Sequence, residues 1–426
     1  MKIGLLAYHS ACNFGATLQL LSTYRYLLKA GHEPVVINWI PQDLEDFYRR
    51  TTPAAQFENQ INVRRLLWRE TVRCYGVKDV ADVIERDGIE AVIIGSDAVA
   101  QHHPLPERLL FPTRRIFTVL KYTSDRMFPN PFWGLFNQHL SHPVPTAVMS
   151  ASSQDSSFRF ILGKRRNEMR AAIQHYSYLS VRDSWTQDMM EYLSNGEIVP
   201  PVTPDPVFAF NQNAGDIIPS ASDIRKRFGV GERYILLSFF QGRGADQVWL
   251  NAFTDIAHEQ GYECIMLPFS QRPSIGTADR QIDLPLSPID WYALIKYSSG
   301  YVGNNMHPIV VSLHNAVPFF SFDNYGKKVG IRRTPTDISS KIRHILSLAD
   351  LNVNRVSSIA PHFQAPTPEF VFDTLIHTDC EKERQFASNY LDKYNEMMQN
   401  ILEKIKKAPS NSPEWGRTLD SRPLTK

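Results

Sequence analysis

The chain has 426 residues, 43% of them hydrophobic and 21% charged, and its 46 basic and 44 acidic side chains leave a formal net charge of +2. At about 100–200 residues per domain this length predicts two or three domains, and the apolar content excludes a wholly disordered or low-complexity protein. A charge so close to zero gives no electrostatic footprint for nucleic acid, so an anion bound here is held by a local site and not by the field of the whole chain.

In chain order, the apolar run at 3–8 predicts a buried strand. Leu18, Leu21, Tyr24 and Leu28, spaced +3, +3, +4, then predict one face of a helix ending near Gly31. Strands follow at 34–39 and 91–95, with a helix at 80–86 between them, and the third run is nearly all apolar, as parallel strands covered on both faces tend to be. Strands at 146–150 and 178–181 enclose a helical KRRNEMRAAIQHY. Such alternation predicts a doubly wound sheet. Between 196 and 233 the proline-rich VPPVTPDP and IPSAS are expected to break helix and strand, which places a domain boundary there. The alternation restarts with strands at 234–240 and 262–267 around a helix at 249–259, a helix at 291–297, a strand at 300–303, a helix start at 309–314 and a strand at 317–322.

The fold class expected is therefore α/β, two doubly wound Rossmann-like domains facing a cleft, where ligands of open α/β sheets bind. The N-terminal domain is set at 1–205, the C-terminal domain at 206–380, a C-terminal helix at 381–407, and a disordered polar tail at 408–426. Residues 102–145, with HHPLP, FPTRRIF and FPNPFWGLF, interrupt the first domain. They read as an irregular insertion folded onto that domain, ahead of a lid, a partner surface or an interfacial patch. Cysteines at 12, 74, 264 and 380 form no Cys-x-x-Cys pair and fit a reducing compartment. The opening MKIGLLAYHS lacks the apolar length of a signal peptide, and no run approaches about 18 apolar residues, so a cytoplasmic protein without an integral membrane span is expected.

Several turns offer chemistry. Asn13 to Gln19 lies between the first strand and helix, where Gly15 permits a tight turn and helix N–H groups can hold an anion; a plain strand-to-helix turn is the other reading. Ser96 and Asp97 end the third strand and would accept hydrogen bonds from a sugar or cap the following turn. Arg182 is either an anion clamp or the partner of a neighbouring Asp, and Thr203-Pro-Asp205-Pro is a rigid turn presenting one carboxylate. In Gln241-Gly-Arg243-Gly the glycines would let an anion approach Arg243, against the default of surface exposure. The sharpest feature is Gly303-Asn-Asn-Met-His307-Pro-Ile-Val-Val-Ser312-Leu-His314. It sets His307 at a helix start with Pro308 at the first helical position. There the imidazolium is disfavoured, so His307 serves as a neutral base or donor, or else caps its own helix. His307 and His314 cannot chelate one ion, and His102-His103 has no further ligand at metal spacing in sequence, so no metal site is expected.

In order along the chain, NFGATLQLLSTYRYLLKAGHEPVVIN, IIGSDAV, PTAVMSASSQDS, YLSVRDSWTQDMM, TPDPVFAF and YVGNNMHPIVVSLHNAVPFF resemble segments of the polysaccharide pyruvyl transferase family. The resemblance covers about residues 1–40 and 88–325 and implies a fold similar to the two-domain GT-B glycosyltransferases. It implies transfer of a pyruvyl unit from phosphoenolpyruvate to two hydroxyls of a sugar, forming a ketal and releasing phosphate, with no cofactor or metal. By the same likeness His307 is the acid/base and Arg182 and Arg243 are anion clamps, with Asn13, Gly15, Ser96, Asp97, Asn305 and Ser312 completing the substrate site. The chain departs from the family at Asn305, where members carry Arg, and at Ala98-Val99-Ala100 in place of Gln-Val-Trp. The partners expected are a small-molecule donor and a sugar or lipid-linked sugar of a surface-polysaccharide precursor, with a peripheral membrane contact left open. Two other readings stand beside this one: a GT-B-like glycosyltransferase using a nucleotide sugar, and a non-catalytic sugar-binding or scaffold protein.

Overall fold

The computed structural model describes residues 1–110, 118–240, 245–329, 334–360, 363–378 and 380–408. Arg243, residues 111–117 of the insertion and residues 409–426 of the tail thus lie outside the described residues.

The first half holds five parallel strands, β1 (Lys2–Leu6), β2 (Glu33–Val36), β3 (Ala91–Asp97), β4 (Thr146–Ala151) and β5 (Tyr178–Val181), in the order β2-β1-β3-β4-β5. All seven residues of β3 are buried, as the apolar run Ala91 to Ile94 requires of a strand covered on both faces. Helix α1 (Phe14–Lys29) starts at Asn13, whose Oδ1 accepts from the Ala16 N–H at 3.3 Å. Leu18, Leu21 and Tyr24 face the core, but the stripe closes on Leu27, and Leu28 is 49% exposed. Among the helices that escape the sequence pattern are α2 (Gln42–Thr51) and α3 (Ala54–Leu67). The face that α3 buries is polar, Gln56, Gln60 and Arg64, so hydrophobic periodicity gives no sign of it. Gln60 donates to Thr17 Oγ1 at 2.9 Å, and Arg64 pairs with Glu70 at 2.8 Å. Gln56 reaches the second half, donating to the Leu286 carbonyl at 3.1 Å and accepting from its N–H at 2.7 Å.

The second half holds six parallel strands, β6 (Tyr234–Ser238), β7 (Glu263–Met266), β8 (Arg280–Gln281), β9 (Gly300–Gly303), β10 (Phe319–Asp323) and β11 (Arg355–Ser357), ordered β8-β7-β6-β9-β10-β11. In each sheet the chain winds outward in both directions from its first strand. The order therefore reverses between β1 and β3 and between β6 and β9, and the turns leaving those strands form a crevice.

The proline-rich stretch does not break helices as expected. Pro206 opens a 3-10 turn, Pro206–Ala209, which runs into a helix at Phe210–Ala214, because a proline at the first position gives up an N–H that has no helical partner anyway. This segment joins one apolar core shared by both halves, with Phe14, Leu18 and Leu21 of α1 on one side and Trp291, Met306 and Ile309 on the other. The helix expected at 381–407 is Cys380–Lys407, and it returns to the first half. Its Tyr394 and Met398 enter the shared core, and Met397 Sδ accepts from Ser150 Oγ at 3.2 Å. The described part of the insertion includes three 3-10 turns, and its Phe128, Phe132, Trp133 and Phe136 are buried in the first half's own core.

Candidate active site

A cavity of about 360 Å³ opens where the carboxyl ends of the two sheets meet. The first half supplies Asn13, Asp97, Gln154 and Arg182, and the second supplies Phe240, Arg272, Asn305, His307, Tyr325 and Lys341 among others.

Asp97 closes β3 with φ +72°, a left-handed backbone that Asp accommodates better than most residues. Its carboxylate accepts from Arg182 Nη2 at 3.0 Å and lies 3.7 Å from Lys341 Nζ. Burial pushes its pKa up, but Lys341, Arg182 and His307 outweigh burial and hold the group ionised far below the usual carboxylate range. Arg182, just beyond β5, uses its other nitrogen, Nη1, to reach Asp205 at 2.7 Å. Both readings of Arg182 thus meet in one side chain: it lines the cavity and it is ion-paired. Its partners are distant in sequence, whereas the adjacent Asp183 accepts from the Thr186 N–H at 2.8 Å and caps the helix Ser184–Ser194. Asp205 also accepts from Gln19 Nε2 at 2.6 Å.

His307 is the second residue of helix α9 (Met306–His314); of the helices between α3 and α9, the longer ones of nine residues or more are α4 (Val77–Arg86), α5 (Gly163–Gln174), α6 (Ser184–Ser194), α7 (Gln247–Glu259) and α8 (Pro288–Lys296). The helix begins earlier than expected, so Pro308 is its third residue, and Asn305 rather than His307 occupies the cap position. The imidazole lies directly on Gly15 of α1: a Cβ built at residue 15 would stand 2.0 Å from His307 Cγ. Gly15 is therefore a packing surface for His307 and does not itself line the cavity. Among the described residues His307 Nε2, which is buried, has no hydrogen-bond partner. Burial lowers the pKa of His307 below the ordinary histidine value, as do Arg182 and Lys341, while Asp97 and Asp205 pull it upward, so the ring is neutral near pH 7 and the carboxylates stand ready for its cation.

Lys341, the first residue of helix α10 (Lys341–Leu348), escaped sequence reasoning; it follows the capping Ser340 and is buried. Burial and the Arg182 charge bring its pKa down to about 8, against the opposing pull of Asp97. Nothing in SSKIRH announces this role, because the neighbour that matters is 244 positions away (341 − 97). Arg272 was missed too, although the turn after β7 stands at a strand's carboxyl end, where ligands of such sheets collect.

Besides Gly15, two predicted residues fall away from the cavity. Ser312 is fully buried, does not line the cavity, and among the described residues its Oγ has no hydrogen-bond partner. Ser96 is buried and donates to the Ser150 carbonyl at 2.9 Å, tying β3 to β4 and leaving neither a sugar contact nor a turn cap. The expectation that His102-His103 lacks further ligands fails in space: His103, Glu107 and Asp155 bring ligand atoms within 4.8 Å of one another. The nitrogens of His103 already engage Glu107 at 2.9 Å and Gln101 at 3.2 Å, and its ring stacks on Tyr122 at 3.9 Å. His102 Nδ1 accepts from the Phe128 N–H at 3.1 Å.

The family model described as Polysaccharide pyruvyl transferase matches residues 13–325, a span that includes every cavity residue of the first half and His307 but not Lys341. No curated protein matches the sequence. Solved structures similar to the chain include a UDP-GlcNAc 2-epimerase from Neisseria meningitidis bound to UDP-GlcNAc, with TM-score 0.55 and 10% identity over 95% of this chain and 100% of that one. Others are S. aureus MnaA with UDP (TM-score 0.50, 10% identity, 96% and 99% covered) and a UDP-N-acetylglucosamine 2-epimerase from Rickettsia bellii (TM-score 0.50, 8% identity, 95% and 97% covered). At such identities the likeness speaks for the fold alone, an α/β fold of GT-B type.

Proposed function

Because the chain belongs to the polysaccharide pyruvyl transferase family, we propose that it transfers pyruvate from phosphoenolpyruvate to two hydroxyls of a sugar in a surface-polysaccharide (exopolysaccharide) precursor, lipid-linked or nucleotide-linked, in the cytoplasm. The observation that carries this reading is His307: a neutral imidazole with an unpaired Nε2 at a cavity lined by Arg182, Lys341 and Asp97.

In the proposed reaction one sugar hydroxyl adds to C2 of the enolpyruvyl group. His307 takes the hydroxyl proton and returns it to C3, turning methylene into methyl. The C2–O bond to phosphate then breaks, and the second hydroxyl closes on C2 while its proton leaves with the phosphate. The transient imidazolium is met by the Asp97 and Asp205 charges, and Lys341 and Arg182 offset the donor's negative groups in a site largely shielded from water. The scheme assigns no cofactor and no metal.

The test is calorimetric titration of the purified chain with phosphoenolpyruvate and, separately, with UDP-GlcNAc. Saturable binding of phosphoenolpyruvate, with phosphate release on adding diol-bearing glycosides that drops about 10²–10⁴-fold in His307→Gln, is the expected result. A response to UDP-GlcNAc alone would replace this reading with the nucleotide-sugar enzyme. Silence toward both would leave a non-catalytic sugar-binding protein.

A further inference from the structure

The three cations lining the cavity differ in what they face. Arg182 serves Asp97 and Asp205, and Lys341 faces Asp97. Among the described residues Arg272 pairs with no carboxylate; its guanidinium lies 4.0 Å above the centroid of the Phe240 ring. Phe240 in turn meets Phe269 edge to face, with centroids 5.6 Å apart at 75°. The backbone beneath is pinned. The Phe240 N–H donates to Asn304 Oδ1 at 3.0 Å. Phe269 and Arg272 exchange two backbone hydrogen bonds of 2.9 and 3.3 Å, and Ser270 Oγ, inside that turn, donates to the Cys12 carbonyl of the first half.

A guanidinium resting on an aromatic face keeps its N–H edge free, and that edge matches the paired oxygens of a phosphate or carboxylate. With one carboxylate against three cations on the lining, Arg272 is where the positive charge stands unmatched. We propose that Arg272 is the clamp for an anionic group of the donor and that Phe240 is its positioning residue. The proposal rests on the reading above that the donor is phosphoenolpyruvate.

The experiment is calorimetric titration of the full chain with inorganic phosphate and with phosphoenolpyruvate, comparing wild type, Arg272→Gln, Arg272→Lys, Phe240→Leu and Lys341→Met. Arg272→Gln is expected to weaken phosphoenolpyruvate about 10- to 100-fold without lowering the melting temperature, since the side chain is exposed at the rim. Arg272→Lys, lacking the fork, recovers only part of the loss. Phe240→Leu costs about threefold with Arg272 still present. Equal weakening toward both ligands assigns the clamp to phosphate, and weakening toward phosphoenolpyruvate alone assigns it to the carboxylate. Unchanged affinity in Arg272→Gln beside weakened binding in Lys341→Met overturns the clamp and leaves the pyruvyl-transfer reading standing. A wild type that ignores phosphoenolpyruvate overturns that reading itself.

Discussion

On the first-half side of the cavity, Arg182 donates to Asp97 and Asp205, Asp205 also receives Gln19 and caps the turn at Pro206, and nearly every charge has found a protein partner. On the second-half side, His307 Nε2 is unpaired, Lys341 has one long contact, and Arg272 rests on a ring. The first wall spends its polar groups on holding a shape, and the second leaves them open for a ligand. Rigidity and reactivity thus sit on different sheets, and the site exists only where the two meet.

The comparison breaks most visibly at Asp205. Arg182 and Asp205 have side chains only 4% and 1% exposed, so Asp205→Ala strands a buried guanidinium on a single carboxylate. Urea unfolding should show a loss of about 3–5 kcal/mol, with Asp205→Asn milder. Gly15→Ala should do the opposite, sparing the fold and damaging turnover. A helical alanine is ordinarily favoured over glycine, yet this Cβ would displace the His307 ring, and a shift of about 1 Å costs on the order of 10²-fold in rate. A Gly15→Ala variant with wild-type phosphate release would sink the claim that the ring position matters.

A pH profile sharpens the contrast further. Lys341 has its pKa lowered to about 8, so its charge, and any contact made through it, is lost as pH rises through 8 rather than near 10.5. Donor affinity should fall on that basic limb, and Lys341→Arg should carry the limb beyond the measurable range. The acid limb belongs to His307, whose depressed pKa keeps the ring neutral below the usual histidine range. The smallest effect is expected at Ser312, where removing a buried, unpaired hydroxyl with Ser312→Ala should leave activity unchanged and stability within about 0.5 kcal/mol or slightly improved. A large loss of activity there would return Ser312 to the substrate site.

Legibility followed the range of the interactions. Apolar runs such as Ala91 to Ile94 and the stripe of α1 announce themselves, because burial of a strand or helix face is written into adjacent residues. The turns after β1, β3, β5 and β9 could be read as site candidates for the same reason: they follow recognisable strands. Lys341 could not, since it acquires its meaning from Asp97 far away in sequence; Arg272 stands in a turn after a recognisable strand and was overlooked there. Helix α3 was hidden by burying a polar face, and Ser312 lies buried away from the cavity because α9 is buried along nearly all of its length, so spacing from His307 does not tell which of its residues reach the cavity. Asn305 lines the cavity without bringing charge, and the unmatched cation comes instead from another turn.

Gln56 closes a two-bond ring with the backbone of Leu286, as a neighbouring strand would, but it does so between the halves. Such a ring keeps its geometry only while the halves neither slide nor twist against each other, since hydrogen bonds weaken steeply off-axis. Beside it runs a greasy seam shared by both sheets. Parting the halves to admit a substrate would tear both. The link between the halves is therefore a clamp as much as a packing surface: a movement that parted them would have to give up two aligned hydrogen bonds and shared apolar burial together.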